Sequence, residues 1–433
     1  MTFVDAADRS FPAFSTDNCI KCNVCTTVCP VARVTDAFPG PKYVGPQGQR
    51  FRDARISDTS VDLCSGCGFC TRACPAGVLV AETNSRVRAR NVEERGATIR
   101  DRVISDTDLL IRFGVPLAPL LNVGMRNPLA RWMGELVGGV HRRAAVHPFA
   151  RRTFRSWWKR RKPMDVDAGP ETTLVYFHGC AVNGFETSLG RDAIYVLERN
   201  GFTVIVPDQV CCGLPMISNG LYANARKKAE QNLRTLVDYA QRGYRIVTTS
   251  TSCGYTLKAE YHEMLDLDDE RARAVAHATW DICELLADLH ERGTLDTRLG
   301  ALERDLPYHP PCQLKGHGIG TPAMDLFALI PGLRAVESNH DCCGAAGTYG
   351  LKKERWQIAQ DVGRKLFESV RASGAPDAAC DSETCRWQIT AATGVPSRHP
   401  IEYLADSYRA YDAGHRRRWR TVWTVPRTAA NGG

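Results

Sequence analysis

Three common signatures are missing from this 433-residue sequence, and each absence excludes a class of function. The first ten residues, MTFVDAADRS, show no basic stretch followed by an apolar one, so we expect no signal peptide and a reducing, cytoplasmic compartment. No G-x-G-x-x-G motif follows a predicted strand and opens a helix, and there is no P-loop, so we expect no flavin or NAD site. The longest apolar candidate, residues 109–125, is interrupted by Arg112, Pro116 and Pro119 and is too short to span a bilayer.

Cysteine, in contrast, is abundant, with 18 in the chain. Because the cytosol keeps thiols reduced, disulfides do not account for so many, and we expect metal ligands or redox groups. Eight of them form two copies of the run C-x2-C-x2-C-x3-C-P, at Cys19, Cys22, Cys25 and Cys29 and again at Cys64, Cys67, Cys70 and Cys74. This is the spacing of two-cluster ferredoxins, in which the fourth cysteine of each run binds the other cluster.

The crossed pattern predicts two 4Fe–4S clusters, one held by Cys19, Cys22, Cys25 and Cys74 and the other by Cys64, Cys67, Cys70 and Cys29. Structural zinc is the alternative, but zinc sites separate two pairs of ligands by a longer loop. A thioredoxin-like dithiol would not need eight thiols. We therefore predict an α+β two-cluster ferredoxin-like domain over residues 1–85.

The C-terminal half contains an internal repeat. Its markers are Cys180, Cys211–Cys212–Gly213 and Cys253, which recur as Cys312, Cys342–Cys343–Gly344 and Cys385 at offsets of 132, 131 and 132 residues. Strand-like runs at 174–177, 203–206 and 245–249 alternate with helical stretches such as 220–241 and 352–371, which predicts tandem α/β modules over 171–300 and 301–415. In each module one cysteine follows the first strand, two follow the second and one follows the third, so four thiols should meet at one sheet edge.

Each module therefore predicts one metal site, made of Cys180, Cys211, Cys212 and Cys253 in the first and Cys312, Cys342, Cys343 and Cys385 in the second. Four thiolates suit an iron–sulfur cluster, and zinc suits them too. Buried free cysteines are a third reading, although they need no fixed spacing. The glycine after each pair predicts a close approach of the backbone to the cofactor. His178 and His309 precede module cysteines and are candidates to tune a cluster by hydrogen bonding.

The middle of the chain is strongly basic. Residues 86–162 carry 18 Lys and Arg against 6 Asp and Glu, a net charge of +12. Phe149, Phe154, Trp157 and Trp158 alternate there with arginines, which is typical of a segment lying in a membrane interface. The alternative is a linker that packs its apolar face on the protein. No nucleic-acid motif accompanies the charge, so we expect no nucleic-acid partner. We predict a basic amphipathic linker over 86–170 that contacts a membrane, and a basic tail over 416–433.

Cysteine-rich repeats behind a two-cluster ferredoxin domain resemble the CCG-domain family. The stretches NCIKCNVCTTVCPVARV, FPGPKYVGPQGQRFR, SDTDLL and DSETCRWQI are most similar to the branch that contains the C subunit of anaerobic glycerol-3-phosphate dehydrogenase, and the resemblance covers about residues 15–410. It implies an electron-transfer subunit with no substrate site of its own. Such a protein takes electrons from a flavoprotein dehydrogenase oxidising sn-glycerol 3-phosphate and passes them to membrane quinone, peripherally bound at the cytoplasmic face of the inner membrane.

The same family contains rival functions. These are the iron–sulfur subunit of glycolate or lactate oxidation, and heterodisulfide reductase, whose module cluster cleaves a disulfide. A zinc scaffold without a redox role is a third. The resemblance implies that the fullest family modules end in C-x-x-C, whereas here Ser250 and Ser382 occupy the first cysteine position. Cys380 is a nearby substitute only in the second module, because Thr248 takes its place in the first. We therefore predict one cubane cluster per module.

Overall fold

The structure is a computed structural model that describes residues 18–48, 59–161, 169–267 and 269–422, with side chains described through residue 414. Residues 49–52 of the FPGPKYVGPQGQRFR stretch and residues 423–433 of the predicted basic tail lie outside these ranges. The start of that tail, residues 416–422, is the end of a long helix.

The N-terminal cysteine runs fold with short helices and turns: α1 (Val24–Thr27), α2 (Phe69–Arg72), a π-helical turn over Tyr43–Gln47 and a 3-10 turn over Ser60–Leu63. The structure differs here from the α+β prediction, since residues 18–48 and 59–79 contain no strand. Cysteines separated by two residues, whose thiols face one centre, curl the backbone around that centre.

The two runs curl in the same way. Lys21 and Asn23 adopt left-handed backbone with φ of 60° and 70°, and Gly66 and Gly68, at the matching places of the second run, have φ of 70° and 75°. Glycine adopts this conformation readily, whereas a lysine does so at a cost that the surroundings must offset. The loop path therefore follows the cysteine spacing rather than the residues between the cysteines.

Helix α3 (Val80–Arg95) docks the ferredoxin domain on the first module. The Arg88 guanidinium donates to the carbonyl oxygen of Cys64 at 2.5 Å and to that of Ser218 in the first module at 2.8 Å. The boundary that composition predicts at residue 85 falls inside this helix, because α3 belongs to the junction between the two domains.

After α3, the described part of the middle segment, residues 96–161, contains five helices: α4 (Ile99–Ser105), α5 (Thr107–Gly114), α6 (Ala118–Arg126), α7 (Pro128–Gly138) and α8 (Phe154–Trp158). Side-chain oxygens of Thr98, Asp106 and Asn127 accept first-turn N–H groups and so start α4, α5 and α7. Within the part of the chain that the structure describes, no single helix is long and apolar enough to cross a membrane. Helices α5 and α6 together meet that length and composition, but they are bent by 106°.

Each module is built around a four-stranded parallel sheet. In the first, β1 (Thr173–Phe177) lies between β2 (Thr203–Ile205) and β3 (Arg245–Thr248), and β4 (Thr279–Asp281) pairs with β3. The second repeats this order with β5 (Arg304–Tyr308), β6 (Leu333–Glu337), β7 (Ala378–Ala379) and β8 (Ser397–Arg398). The matching strand orders, 2-1-3-4 and 6-5-7-8, confirm the predicted tandem duplication.

Helices connect these strands. In the first module they are α9 (Gly179–Gly184), α10 (Thr187–Arg199), α11 (Leu214–Ser218), α12 (Tyr222–Gln241), α13 (Thr251–Tyr255), a π-helical turn (Thr256–Glu260), α14 (Tyr261–Glu263), α15 (Glu270–Ala278) and α16 (Ile282–Glu291). In the second they are α17 (Cys312–His317), α18 (Pro322–Ala328), a 3-10 turn (Tyr349–Leu351), α19 (Trp356–Ala372), α20 (Glu383–Thr393) and α21 (Pro400–Val422). The predicted strands and the helices predicted at 220–241 and 352–371 are confirmed.

The two modules share one interior. Buried residues of β1 and α10 pack in the same cluster as those of β5, α18 and α21. Helix α21 crosses onto the first module, where Asp412 pairs with Arg199 at 2.8 Å and the Tyr408 hydroxyl donates to the Asp296 carbonyl at 2.6 Å. This shared core fixes the position of one sheet edge relative to the other.

Candidate metal centres

Cysteines from both N-terminal runs meet around Cys25. Cys19 and Cys74 pack against its buried thiol. Burial raises the pKa of Cys25, and the nearby thiols of Cys19 and Cys74 add to the rise. Cys22, the fourth member of this predicted set, is exposed. The structure thus brings the last cysteine of the second run to the first run.

Cys29, the last cysteine of the first run, lies in turn among the thiols of the second run. Burial raises the pKa of Cys29 to about 12, and the neighbouring thiols that add to the rise are Cys64 and Cys67. Burial likewise raises the pKa of Cys70, with Cys67, Cys64 and Cys29 among its neighbours. This exchange of fourth cysteines is the arrangement that a two-cluster ferredoxin requires.

N–H groups face several of these sulfurs. The backbone N–H of Ala32 donates to Cys29 Sγ at 3.5 Å, and that of Val78 donates to Cys74 Sγ at 3.3 Å. The Asn84 side-chain amide approaches Cys64 Sγ at 3.9 Å. Such donors stabilise negative charge on sulfur, which is how a protein tunes an iron–sulfur cluster. The donor set therefore fits the predicted clusters.

The first-module thiols form a row at the carboxyl edge of the sheet. Cys180 Sγ lies 4.0 Å from Cys211 Sγ, and the Cys212 thiol contacts those of Cys211 and Cys253. A Cβ atom on Gly179 would lie 2.9 Å from Cys253 Sγ, so a glycine there lets the two loops come together. All four predicted residues are within one site.

The second module repeats the row. Cys312 contacts Cys342, Cys342 contacts Cys343, and Cys343 Sγ lies 2.8 Å from Cys385 Sγ. The backbone N–H of Gly344 donates to Cys342 Sγ at 3.3 Å. A metal ion bound to these thiols would displace their protons. Two such rows of contacting, buried sulfurs suit soft metal ions.

Both module rows and one thiol of the second ferredoxin set border one cavity of about 110 Å³. Its lining includes Cys67 from the ferredoxin domain and most of the module cysteines, namely Cys180, Cys212, Cys253, Cys312, Cys342, Cys343 and Cys385. Cys67 is the link: burial raises its pKa to about 12, and Cys312 of the second module is the next contributor. The second ferredoxin site therefore lies beside the second-module site.

The second module has two further donors. Cys380 is fully buried and contacts Cys385. A ring nitrogen of His309 and the Sγ atoms of Cys343 and Cys385 lie within 4.8 Å of one another. His309 Nδ1 pairs with the Ser338 hydroxyl at 3.1 Å, while Nε2 is buried with no hydrogen-bond partner among the described residues. The Nε2 nitrogen is therefore available to interact with the sulfur atoms of the second-module site or with a metal bound there.

In the first module, the residues beside the thiols come instead from the start of helix α5. The Asp108 carboxylate accepts the Cys211 backbone N–H at 3.1 and 3.2 Å and the Lys228 ammonium at 2.6 Å. The Thr107 hydroxyl lies beside the thiols of Cys180 and Cys211. Sequence reasoning missed both residues, because they lie in the linker and their only signal was the SDTDLL stretch.

The glycines after the two cysteine pairs lie against neighbouring helices, and the N–H of Gly344 also faces the Cys342 sulfur. Gly213 and Gly344 have φ of 96° and 80°. An added Cβ on Gly213 would lie 3.4 Å from the Ala225 carbonyl oxygen of α12, and one on Gly344 would collide with the Ala359 carbonyl of α19. Gly344 therefore lets α19 pack closely, whereas the space beside Gly213 would admit a Cβ atom.

The structure corrects the prediction that the aromatic residues of the linker lie in a membrane interface. Phe154 is fully buried, Trp157 and Trp158 pack against the shared core, and Phe149 stacks on Phe185 with ring centroids 5.1 Å apart. The alternative of a linker packed on the protein therefore holds for residues 149–158. The exposed apolar residues lie earlier, on α5–α7.

These arrangements define an iron–sulfur protein made of a ferredoxin-type domain and two cysteine-rich domains. Residues 15–78 match the family described as 4Fe-4S dicluster domain, and residues 174–258 and 306–390 match the family described as Cysteine-rich domain.

The chain belongs to the family of the C subunit of anaerobic glycerol-3-phosphate dehydrogenase. It is 37% identical over 397 residues to that protein of Escherichia coli (strain K12), which covers 91% of this chain and 98% of the relative. Partial relatives include the B subunit of fumarate reductase (CoM/CoB) of Methanothermobacter marburgensis, 33% identical over 210 residues, 48% of this chain and 39% of that protein. Lactate utilization protein A of Anoxybacillus flavithermus is 30% identical over 186 residues, 41% of this chain and 75% of that protein.

Proposed function

We propose that this protein carries electrons from a flavoprotein dehydrogenase that oxidises sn-glycerol 3-phosphate to membrane quinone. The substrate and the partner come from the relative that matches nearly the whole chain. The observation that carries the relay is the single cavity bordered by thiols of the ferredoxin domain and of both modules. Electron carriers held at these sites would be close enough to exchange electrons through the protein.

The proposed ligands are those of the crossed pattern and of the two rows. Cys19, Cys22, Cys25 and Cys74 hold one 4Fe–4S cluster, and Cys64, Cys67, Cys70 and Cys29 hold the other. Each row of four module thiols holds one further cluster. The closeness of Cys67 to Cys312 supports a route from the ferredoxin domain through the second module to the first.

The membrane contact in this proposal is the apolar helix surface on α5–α7. Leu120, Val123 and Leu129 on this surface are 71%, 67% and 66% exposed. The remaining members are Leu109, Phe113, Leu117, Leu121, Trp132, Met133, Leu136 and Val137. Exposed Arg112 and Arg126 lie on the same helices, and the wider segment is strongly basic. Apolar residues flanked by cations suit an anionic bilayer surface at the cytoplasmic face.

The relay is tested with the anaerobically purified full chain. Four clusters would give about sixteen irons per chain. After reduction with dithionite, a soluble naphthoquinone such as menadione should restore the visible absorbance with saturable kinetics. A colourless zinc protein, or a chain whose reduced clusters do not react with quinone, would contradict the proposal.

The membrane contact is tested with vesicles containing anionic lipid. Replacing Leu120, Val123 and Leu129 by serine should weaken vesicle binding at least about tenfold, because three exposed apolar side chains no longer enter the lipid. Val336→Ser is the matched control, since Val336 is 66% exposed but lies in the second module. Equal binding by the triple variant and the wild type would place the contact elsewhere.

A second candidate is the iron–sulfur subunit of a lactate-oxidising system, favoured by the match to lactate utilization protein A. Purification of the native complex distinguishes the two, because the flavoprotein recovered with the chain would oxidise either glycerol 3-phosphate or lactate.

A further inference from the structure

A second cavity, of about 280 Å³, adjoins the first-module metal site. Helices α4 and α5 contribute Ile104, Thr107 and Leu110 to its wall, and Cys180 lies on the wall as well. Across the cavity, helix α20 contributes Trp387 and Gln388. The cavity is thus formed by the linker segment, the first module and the second module together.

Its lining suits a flat, apolar ring. Phe149 stacks on Phe185, and His147 stacks on Trp387 with ring centroids 5.1 Å apart and planes at 30°. All four of these rings line the cavity. Small-molecule pockets are apolar cavities with a few placed polar groups, and their volumes begin at about 300 Å³. This cavity therefore suits a head group whose tail remains outside.

A polar group is also in place. Gln388 is 2% exposed, and its Nε2 has no hydrogen-bond partner among the residues that the structure describes. A buried amide N–H without a partner is costly, so such a group normally binds something. A carbonyl oxygen on a ring in this cavity would satisfy it.

We propose that this cavity binds the quinone ring, with Gln388 donating to one carbonyl oxygen. This inference rests on the proposed function, because it names the site at which the quinone acceptor is reduced. The location of the cavity supports this proposal, because the cavity lies between the first-module metal site and the apolar helix surface. Cys180 belongs to the cluster ligands, and α5, which supplies Leu110 to the wall, carries Leu109 and Phe113 of the apolar helix surface. A lipophilic ligand would reach the cavity from the bilayer.

Reduction to the quinol adds two electrons to the ring and one proton to each of its two carbonyl oxygens. The flavoprotein partner supplies the electrons, which arrive one at a time through the site that includes Cys180. Water supplies the protons from an open cleft of about 800 Å³ whose lining also includes His147 and Trp387. These two rings line both the cavity and the cleft.

The test uses the full chain, reduced with dithionite and mixed with menadione. Ile104→Trp fills the cavity and should slow menadione-dependent reoxidation more than tenfold, while reoxidation by ferricyanide stays unchanged because that ion needs no pocket. Val103→Trp is the control, since Val103 is the preceding residue of α4 and is 42% exposed. Iron content verifies that each variant is intact.

Gln388→Leu keeps the size of the side chain and removes the donor. It should weaken binding of 2-heptyl-4-hydroxyquinoline N-oxide, a quinone analogue followed by fluorescence quenching, about tenfold. Wild-type kinetics and binding in both variants, with saturable menadione reduction by the wild type, would overturn the pocket and leave the proposed function standing. Failure of the wild-type protein to reduce menadione would overturn both.

Discussion

The two modules have the same strand order and the same four cysteines, but they differ in what surrounds those cysteines. The second-module row has Cys380 and His309 beside it and lies next to Cys67 of the ferredoxin domain. Among the described residues, the first-module row has neither a fifth cysteine nor a histidine in such a group. Thr107 and Asp108 of helix α5 lie against it instead.

The paired histidines show how the duplicated modules diverged. His178 and His309 occupy matching places before the first module cysteine. The His178 ring packs edge-on against Phe154, with ring centroids 5.4 Å apart, and its Nδ1 bonds the Gly179 carbonyl at 2.6 Å. The His309 ring approaches the sulfurs of its own site. The His178 ring thus packs against the linker, and the His309 ring lies beside thiols of its own module.

In the proposed relay, this difference gives the modules different places. The second module lies beside the ferredoxin domain, and the first lies beside the linker and the proposed quinone cavity. The duplicated fold would then supply two sites with different neighbours along one route.

The largest effect is expected from removing one thiolate in each module. Cys385→Ser and Cys253→Ser should each lower the iron content by about four per chain and slow quinone reduction more than about 100-fold, since loss of a ligand exceeds the usual effect of an outer hydrogen bond. The ferredoxin clusters should remain reducible by dithionite, as followed by EPR.

Cys283→Ala is the matched control, because Cys283 is fully buried but lies outside both rows. It should keep its full iron content. Normal quinone reduction by Cys253→Ser would show that the first module is not on the route and would remove the proposed division of roles.

The next largest effect is the loss of stability expected when the glycines after the cysteine pairs are replaced by alanine. Both require left-handed backbone, which costs an alanine about 1–2 kcal/mol. Only Gly344→Ala also drives a Cβ into the Ala359 carbonyl. We expect destabilisation of about 3 kcal/mol for Gly344→Ala and about 1 kcal/mol for Gly213→Ala, or roughly 9 °C against 3 °C in the midpoint of thermal loss of visible absorbance. Equal shifts would mean that backbone strain alone matters at both places.

The sequence predicted the parts of this molecule that depend on spacing. The offset of 131 to 132 residues and the alternation of strand and helix established two parallel α/β modules, because duplicated chains repeat both. The cysteine positions relative to the strands placed four thiols at each sheet edge. Parallel strands bring their carboxyl ends to one edge, so no tertiary information was needed.

Contacts between distant segments could not be predicted in this way. Thr107 and Asp108 reach the first-module site only because the linker folds back over it. Trp157 and Trp158 carry the composition of an interfacial segment, yet they pack on the shared core, since burial depends on the partner surface as much as on the residue. The cavity lined by Gln388 is formed by three segments and has no sequence signature.

A smaller effect is expected from the histidines. His309→Ala should lower the reduction potential of the second-module cluster by on the order of 60 mV, because an N–H donor to sulfur stabilises the reduced state by about one hydrogen bond to a charged group. His178→Ala should leave both module potentials unchanged. A redox titration followed by EPR measures both. His309→Gln, which keeps a donor, should recover part of the shift, and equal potentials in all variants would contradict a role for His309 at the cluster.

The smallest effect is expected from Cys380→Ser, and this variant examines the difference between the modules most directly. Cys312, Cys342, Cys343 and Cys385 already supply the four thiolates of a cubane cluster. The fifth thiol contacts Cys385, but Thr248 occupies its place in the first module. We therefore expect unchanged iron content and cubane-type Mössbauer parameters in Cys380→Ser, and the same in Thr248→Cys, which gives the first module its own fifth thiol. Loss of about four irons from Cys380→Ser, or non-cubane signals in the wild type that vanish in the variant, would make Cys380 a ligand. The second module would then be a candidate for disulfide chemistry, and the two modules would differ in the reaction they support as well as in their neighbours.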